Sequence, residues 1–225
     1  GFNAVKIKVG QPNMADDIER IRAVRQLIGP GVTFMIDANY SLSVAQATEL
    51  ANAIKDQNIY WFEEPIAPED HDGYRELRAR LKVNISGGEA EFNRWGWRQI
   101  LENRGLDIAQ PEVCALGGIS EYQRVLALCH AHFTPVVNHV WGSAIAITTN
   151  LHLLASMPPM PGGLHPWEPM LEFDTTHNAF RDDLLTQPLN IQKAVKENAG
   201  RVSIPMGPGL GVEPDREIIE HYKAA

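Results

Sequence analysis

Three runs, VTFMID (32–37), IYWFEE (59–64) and KVNISGGE (82–89), decide the reading of this chain. Each is apolar or β-branched up to an acid, and the acids Asp37, Glu63 and Glu89 follow one another at steps of 26 residues. That step accommodates one strand and one helix, so the chain reads as a repeated β/α unit with an acid at the carboxyl end of each strand. Parallel β/α barrels carry their chemistry on that rim. Three carboxylates converging there repel one another unless a cation sits between them. Oxygen-only donors point to a hard ion, Mg²⁺ first. One such acid alone is more often a helix cap or a loop carboxylate, but three in register favour a site.

Outward from these runs, further strand patterns are AVKIKVG (4–10), LDIAQPE (106–112), FTPVVNH (133–139) and, less regular, GGLHPWEPMLEF (162–173). Amphipathic patterns between them predict helices over Asp16 to Ile28, Ser43 to Asp56, Asp72 to Leu81, Arg94 to Asn103, Ser120 to His132 and Ala144 to Ala155, with Ser43 and Ser120 as N-caps. A last short helix is expected from Pro214, and GPGLG (207–211) reads as a turn because no strand leads into it. Seven strands in β-then-α order predict an α/β fold with a parallel sheet, in one domain over residues 1–225. The opening GFNAVKIKVG begins almost directly in a strand with no initiator Met, which reads as a cut, with a first β/α unit expected upstream.

Composition bounds the function. With 44% apolar and 21% charged residues, the chain has the makings of a folded core. A formal charge of −8, without a Lys/Arg run, argues against sequence-independent nucleic-acid binding. Two cysteines, Cys114 and Cys129, are too few for a disulfide framework and suit a reduced, cytoplasmic protein. The most apolar stretch, Val136 to Met157, is interrupted by Asn138, His139, Asn150 and His152, so no membrane span is expected.

Several side chains join the three acids as candidates. Lys6 and Lys8 share one side of a period-2 strand, either reaching the rim together or decorating a solvent-facing edge. At the rim, two ammonium groups lower each other's proton affinity, which suits a base. His139 ends its strand 27 residues after Glu112 ends the preceding one, and a carboxylate–imidazole pair moves protons. Asn39 and Glu64 flank the acids and are expected to support them, or else to be a turn Asn and a surface Glu. Glu168 or Glu172 adds a carboxyl near Trp167 and Phe173. Gly87 and Gly88 before Glu89 fit a close backbone approach.

Together the motifs KIK, IDAN, FEEP, GGE, QPE followed by LGGIS, and NH make the chain resemble the enolase superfamily, in its mandelate racemase-like branch, over nearly its whole length. The resemblance implies a TIM-type (β/α)7β barrel, here lacking the N-terminal α+β capping domain and the first barrel strand. It implies Mg²⁺ on Asp37, Glu63 and Glu89, Lys8 as one general acid/base, and Lys6 on the substrate carboxylate. His139 is implied as the opposite acid/base, paired with position 112, and Glu172 as hydrogen-bond donor to the enolate. Glu112 departs from the usual Asp of the family, leaving its reach to His139 or a substitute such as Gln110 open. The shared chemistry is removal of a proton α to a carboxylate of a small acid, commonly in a homo-oligomer, with no nucleic acid or membrane partner. The segments NHVWGSAIA and HPWEPMLEFDTTHNAFRDDLL resemble the galactarolactone-opening cycloisomerases of the branch, which implies expulsion of a lactone ring oxygen to give a 3-deoxy-2-keto-hexarate. Alternatives are a dehydratase of open sugar acids and, in another class, a non-catalytic domain with a structural metal site.

Overall fold

A computed structural model describes residues 1–160 and 168–223, and its chain divides into two compact units, Asn3–Val136 and Gly1–Phe2 with Val137–Ala225. The first unit is built on a five-stranded parallel sheet of β1 (Ala4–Lys8), β2 (Thr33–Asp37), β3 (Ile59–Glu63), β4 (Asn84–Gly87) and β5 (Ile108–Ala109), paired in chain order. Its helices are α1 (Met14–Ile28), α2 (Val44–Ala53), α3 (His71–Arg80), α4 (Asn93–Glu102), the single turn α5 (Val113–Leu116) and α6 (Ile119–Ala131). Parallel neighbours need a crossover, and a helix supplies each one from β1 to β5.

The strand register aligns the acids. Lys8 faces Asp37, Asp37 faces Glu63, and Glu63 faces Ser86 across β1 to β4. On the opposite phase, Phe34, Ile36, Phe62 and Ile85 are fully buried, as are Ile21, Leu50, Leu77 and Trp97 of the helices. Period-2 alternation thus sends apolar side chains to the helical layer and leaves charged ones for the other face.

Helix starts follow the caps. Ser43 caps α2 with a full capping box to Gln46, as its position predicts. Ser120 does not cap α6. The helix starts one residue before it, with Gly118 at the cap at φ 87°, and Ser120 lies in the first turn. The expected strands at 106–112 and 133–139 shrink to the two residues of β5 and a single parallel bridge between Ala109 and Val136. Pro111 and Pro135 lack the N–H a ladder needs, and the Pro135 carbonyl instead accepts from Ala109 N–H at 2.8 Å. The expected strand over 162–173 lies partly outside the described residues, and residues 168–173 are not strand.

The second unit holds α7 (Ala144–Ser156), α8 (Ala179–Asp182), α9 (Ile191–Glu197) and α10 (Arg216–His221). Val140, Ile147, Leu151, Ile191 and Val195 form one core cluster, against which Leu171, Phe173 and Leu189 pack. The short α8 and α9 carry too few periodic positions to stand out in the sequence. Among the described residues no helix is long and apolar enough to cross a membrane. Cys114 is exposed and Cys129 buried, and both are free thiols.

Candidate active site

The strand ends of the first unit bring together Lys6, Lys8, Asp37 and Glu63. Lys8 Nζ donates to Asp37 Oδ2 at 2.5 Å, and Lys6 Nζ donates to Glu63 Oε1 while lying 3.5 Å from Asp37 Oδ2. Both lysines therefore lie on the acid-bearing face, Lys6 largely buried and Lys8 open to solvent. Asp37 is 0% and Glu63 1% exposed, whereas the Lys8 side chain is 63% exposed. Burial alone would raise the Asp37 pKa, but the Lys6 charge, Lys8 and the Asn39 N–H together hold it below its ordinary value.

Each acid is oriented by identifiable donors. Asn39 N–H donates to Asp37 Oδ1 at 2.9 Å. Glu63 Oε2 accepts from Trp61 Nε1 at 2.9 Å and from Gln110 Nε2 at 2.8 Å. Glu89, just past β4, accepts from the Tyr40 hydroxyl. Glu64 is not a surface residue. It is buried beneath the rim, accepts from the Tyr74 hydroxyl and from Gly88 N–H at 2.6 Å, and burial pushes its carboxyl up to about 8. Gly88 approaches closely enough that a Cβ there would lie 2.3 Å from the Trp97 ring.

The backbone is strained around the acids. Asn39, Tyr40 and Glu64 hold φ of 41°, 65° and 39°, left-handed values that cost non-glycine residues free energy. These turns are what set the Asn39 amide on Asp37 and the Tyr40 amide on the Glu64 carbonyl, the latter at 2.8 Å.

Glu112 caps α5, accepting Cys114 N–H at 2.9 Å. In the second unit His139 is half-buried between two anchored positions. The Asn138 side chain donates to Asn150 Oδ1 at 2.7 Å, and Val140 N–H donates to Glu172 Oε2 at 2.8 Å. Glu168 forms an exposed pair with Arg201 at 3.2 Å, leaving Glu172 as the carboxyl that meets the His139 segment. Sequence reasoning missed Trp61, Gln110, Tyr40 and Tyr74 as partners of the acids. Trp61 and Gln110 were accessible to it, since each stands two residues before a strand-end acid and so on the same phase.

Among the described residues no three His, Cys, Asp or Glu side chains form a ready metal cluster; the lysines and Tyr40 take the carboxylates instead. The donor set nevertheless fits a hard cation. Asp37 and Glu63 are buried anions already requiring positive charge beside them, and the candidate ligands are all oxygens.

The chain matches the family model described as enolase C-terminal domain-like over residues 1–218. It is 40% identical over 223 residues to a D-galactarolactone cycloisomerase of Agrobacterium fabrum, covering 99% of this chain and 57% of that protein. The 3,6-anhydro-D-galactonate cycloisomerase of Zobellia galactanivorans superposes with a TM-score of 0.88 at 37% identity, over 99% of this chain and 59% of that one. An L-talarate dehydratase of Polaromonas sp. JS666, complexed with Mg and L-glucarate, gives a TM-score of 0.81 at 27% identity, over 98% of this chain and 55% of that one. The chain thus spans somewhat more than half the length of these relatives.

Proposed function

Because the chain belongs to the enolase C-terminal domain-like family, in the mandelate racemase-like branch, and its homologues are enzymes of acid-sugar metabolism, we propose that its protein is a Mg²⁺-dependent galactarolactone cycloisomerase. The observation that carries the reading is the aligned row of Lys8, Asp37 and Glu63, with Lys6 reaching both acids. A structural metal site needs carboxylates but has no use for two ammonium groups among them.

Asp37, Glu63 and Glu89 are the residues that would hold Mg²⁺. The ion, when bound, supplies charge stabilisation for the substrate carboxylate as its α proton leaves. Lys6, buried enough to be poorly hydrated, binds and polarises that carboxylate. Lys8 and His139 are the acid/base groups. One takes the α proton, and the C–H electrons form the enol and expel from the β carbon the ring oxygen, which becomes part of the product's second carboxyl group. Tautomerisation gives the 3-deoxy-2-keto acid, so the net change is an isomerisation. Glu172 is the donor to the enolate. Asn39 and Glu64 act on the ligands through the rim backbone. A homo-oligomer in the cytoplasm completes the reading.

A second reading, dehydration of an open sugar acid, is favoured by the likeness to the talarate dehydratase and uses the same residues. Proton NMR of the protein with Mg²⁺ in D₂O, given galactarolactone or open galactarate, separates the two. Deuterium entering a 3-deoxy-2-keto product from the lactone alone supports cycloisomerisation, and consumption of the open acid instead makes the enzyme a dehydratase.

A further inference from the structure

We infer that Gln110 is a positioning residue for Glu63, setting which carboxylate oxygen the rim presents to a cation. The inference rests on the proposed Mg²⁺ site and assigns a side chain that the acid triad and acid/base pair leave without a role.

Gln110 follows β5 directly and is 2% exposed. Its backbone N–H donates to the Gly87 carbonyl at 2.8 Å, which extends the β4–β5 pairing and places the residue beside the end of β4. From there Nε2 donates to Glu63 Oε2 at 2.8 Å. The Trp61 indole donates to that same oxygen at 2.9 Å. Two neutral donors on Oε2 leave Oε1 as the oxygen that meets the Lys6 ammonium. The carboxylate is thus polarised in space, with neutral donors on one oxygen and positive charge at the other.

The arrangement has a visible cost. Among the described residues, Gln110 Oε1 is buried without a hydrogen-bond partner. Leaving a buried acceptor unpaired costs about 1–3 kcal/mol. Flipping the amide gives no relief, because the carbonyl would then face the Glu63 carboxylate, acceptor against acceptor, while Nε2 became the stranded group. An apolar side chain of similar volume would remove the unpaired acceptor altogether, yet a glutamine stands here. A side chain that is costly to bury and donates to a candidate ligand fits an orienting role better than a packing one.

The test is calorimetric titration of the protein with Mg²⁺ alone, comparing wild type with Gln110→Met and Trp61→Phe. Outer-shell partners of metal ligands contribute about 10–100-fold in affinity, so Gln110→Met is expected to weaken Mg²⁺ binding within that range. Trp61→Phe is expected to weaken it in the same direction. The melting temperature of Gln110→Met without Mg²⁺ should lie near that of wild type, since the variant loses both the buried unpaired oxygen and the bond to Glu63. Wild-type Mg²⁺ affinity in folded Gln110→Met overturns the inference and leaves the metal site standing. If that variant does not fold, wild-type affinity in Gln110→Leu, which has no side-chain donor in either protonation state, overturns it equally. A wild-type protein that takes up no Mg²⁺ removes both the metal site and the inference built on it.

Discussion

Asp37 and Glu63 are register partners at the carboxyl ends of β2 and β3, and a single ammonium, Lys6 Nζ, reaches both. Two buried carboxylates in adjacent register are tolerable only with shared positive charge, because burial removes the water that would otherwise screen them. The rim therefore needs positive charge, which the lysines supply here and which the proposed Mg²⁺ would also supply.

Replacing Asp37 with Asn tests that demand. The substitution preserves shape but removes the charge facing Lys8 and Lys6, and puts an amide donor in place of one of the two accepting oxygens, Oδ1 of the Asn39 N–H bond or Oδ2 of the Lys8 bond. Mg²⁺ affinity should fall by more than about 100-fold, exceeding the loss expected from an outer-shell partner. The metal-free protein should lose about 1–3 kcal/mol, the usual cost of stranding buried hydrogen-bonding groups. Mg²⁺ titration and urea unfolding of the variant measure the two effects separately.

Gly88 makes a purely steric prediction. Its φ is 111°, and a Cβ there would lie 2.3 and 2.6 Å from the Cη2 and Cζ2 atoms of Trp97, which is itself fully buried. Gly88→Ala should cost about 2–6 kcal/mol, combining overpacking with backbone strain. It should also disturb the Gly88 N–H contact to Glu64. Chemical denaturation gives the number, and a loss below about 1 kcal/mol would mean that the Trp97 ring moves aside freely.

The acid limb of the stability curve should depend on Glu121. Bonds from the Arg94 side chain and backbone, helped by Arg124, hold its carboxyl down at about 2 against an ordinary value of 4.5. A depressed pKa means that the stabilisation is present above about 4.5 and is lost as pH falls toward 2. Glu121→Gln should lower the melting temperature at pH 7 and flatten its decline over that acid window. Parallel acid limbs in variant and wild type would assign the acid sensitivity elsewhere.

How far the sequence could be read depended on how much local pattern each element carried. The strands ending in Asp37 and Glu63 are legible because runs of four or five apolar or β-branched residues end in a charge, a contrast that period-2 burial imposes. β5 is not legible as observed, since only Ile108 and Ala109 pair before Pro111 interrupts the ladder. The start of α6 is missed because Ser120 is a good cap by type, while paired glycines at 117 and 118, with φ of 120° and 87°, let the chain turn into the helix earlier. Lys6 and Lys8 illustrate the limit at the site. Their common phase is in the sequence, but which carboxylate each takes depends on neighbouring strands, and Gln110 joins Glu63 only across a sequence gap of 47 residues.

Lys8 offers the sharpest separation of chemistry from binding. Its ammonium touches Asp37, so a purely electrostatic role would make Lys8→Ala change Mg²⁺ affinity, whereas an acid/base role makes it change turnover. The side chain is 63% exposed, so its removal leaves the buried acids still neutralised by Lys6 and the fold intact. We expect Mg²⁺ binding within about threefold of wild type. Turnover should fall by about 10²–10⁴-fold, the usual contribution of a positioned acid or base. An exposed vacancy admits small molecules, so methylamine should restore part of the lost rate, increasingly with the amine's concentration. His139→Ala should show the same retained binding and lost turnover, with recovery from imidazole but not from methylamine. Loss of Mg²⁺ from either variant, or rescue of both by the same small base, would mean that the two side chains do not divide the proton transfers between them.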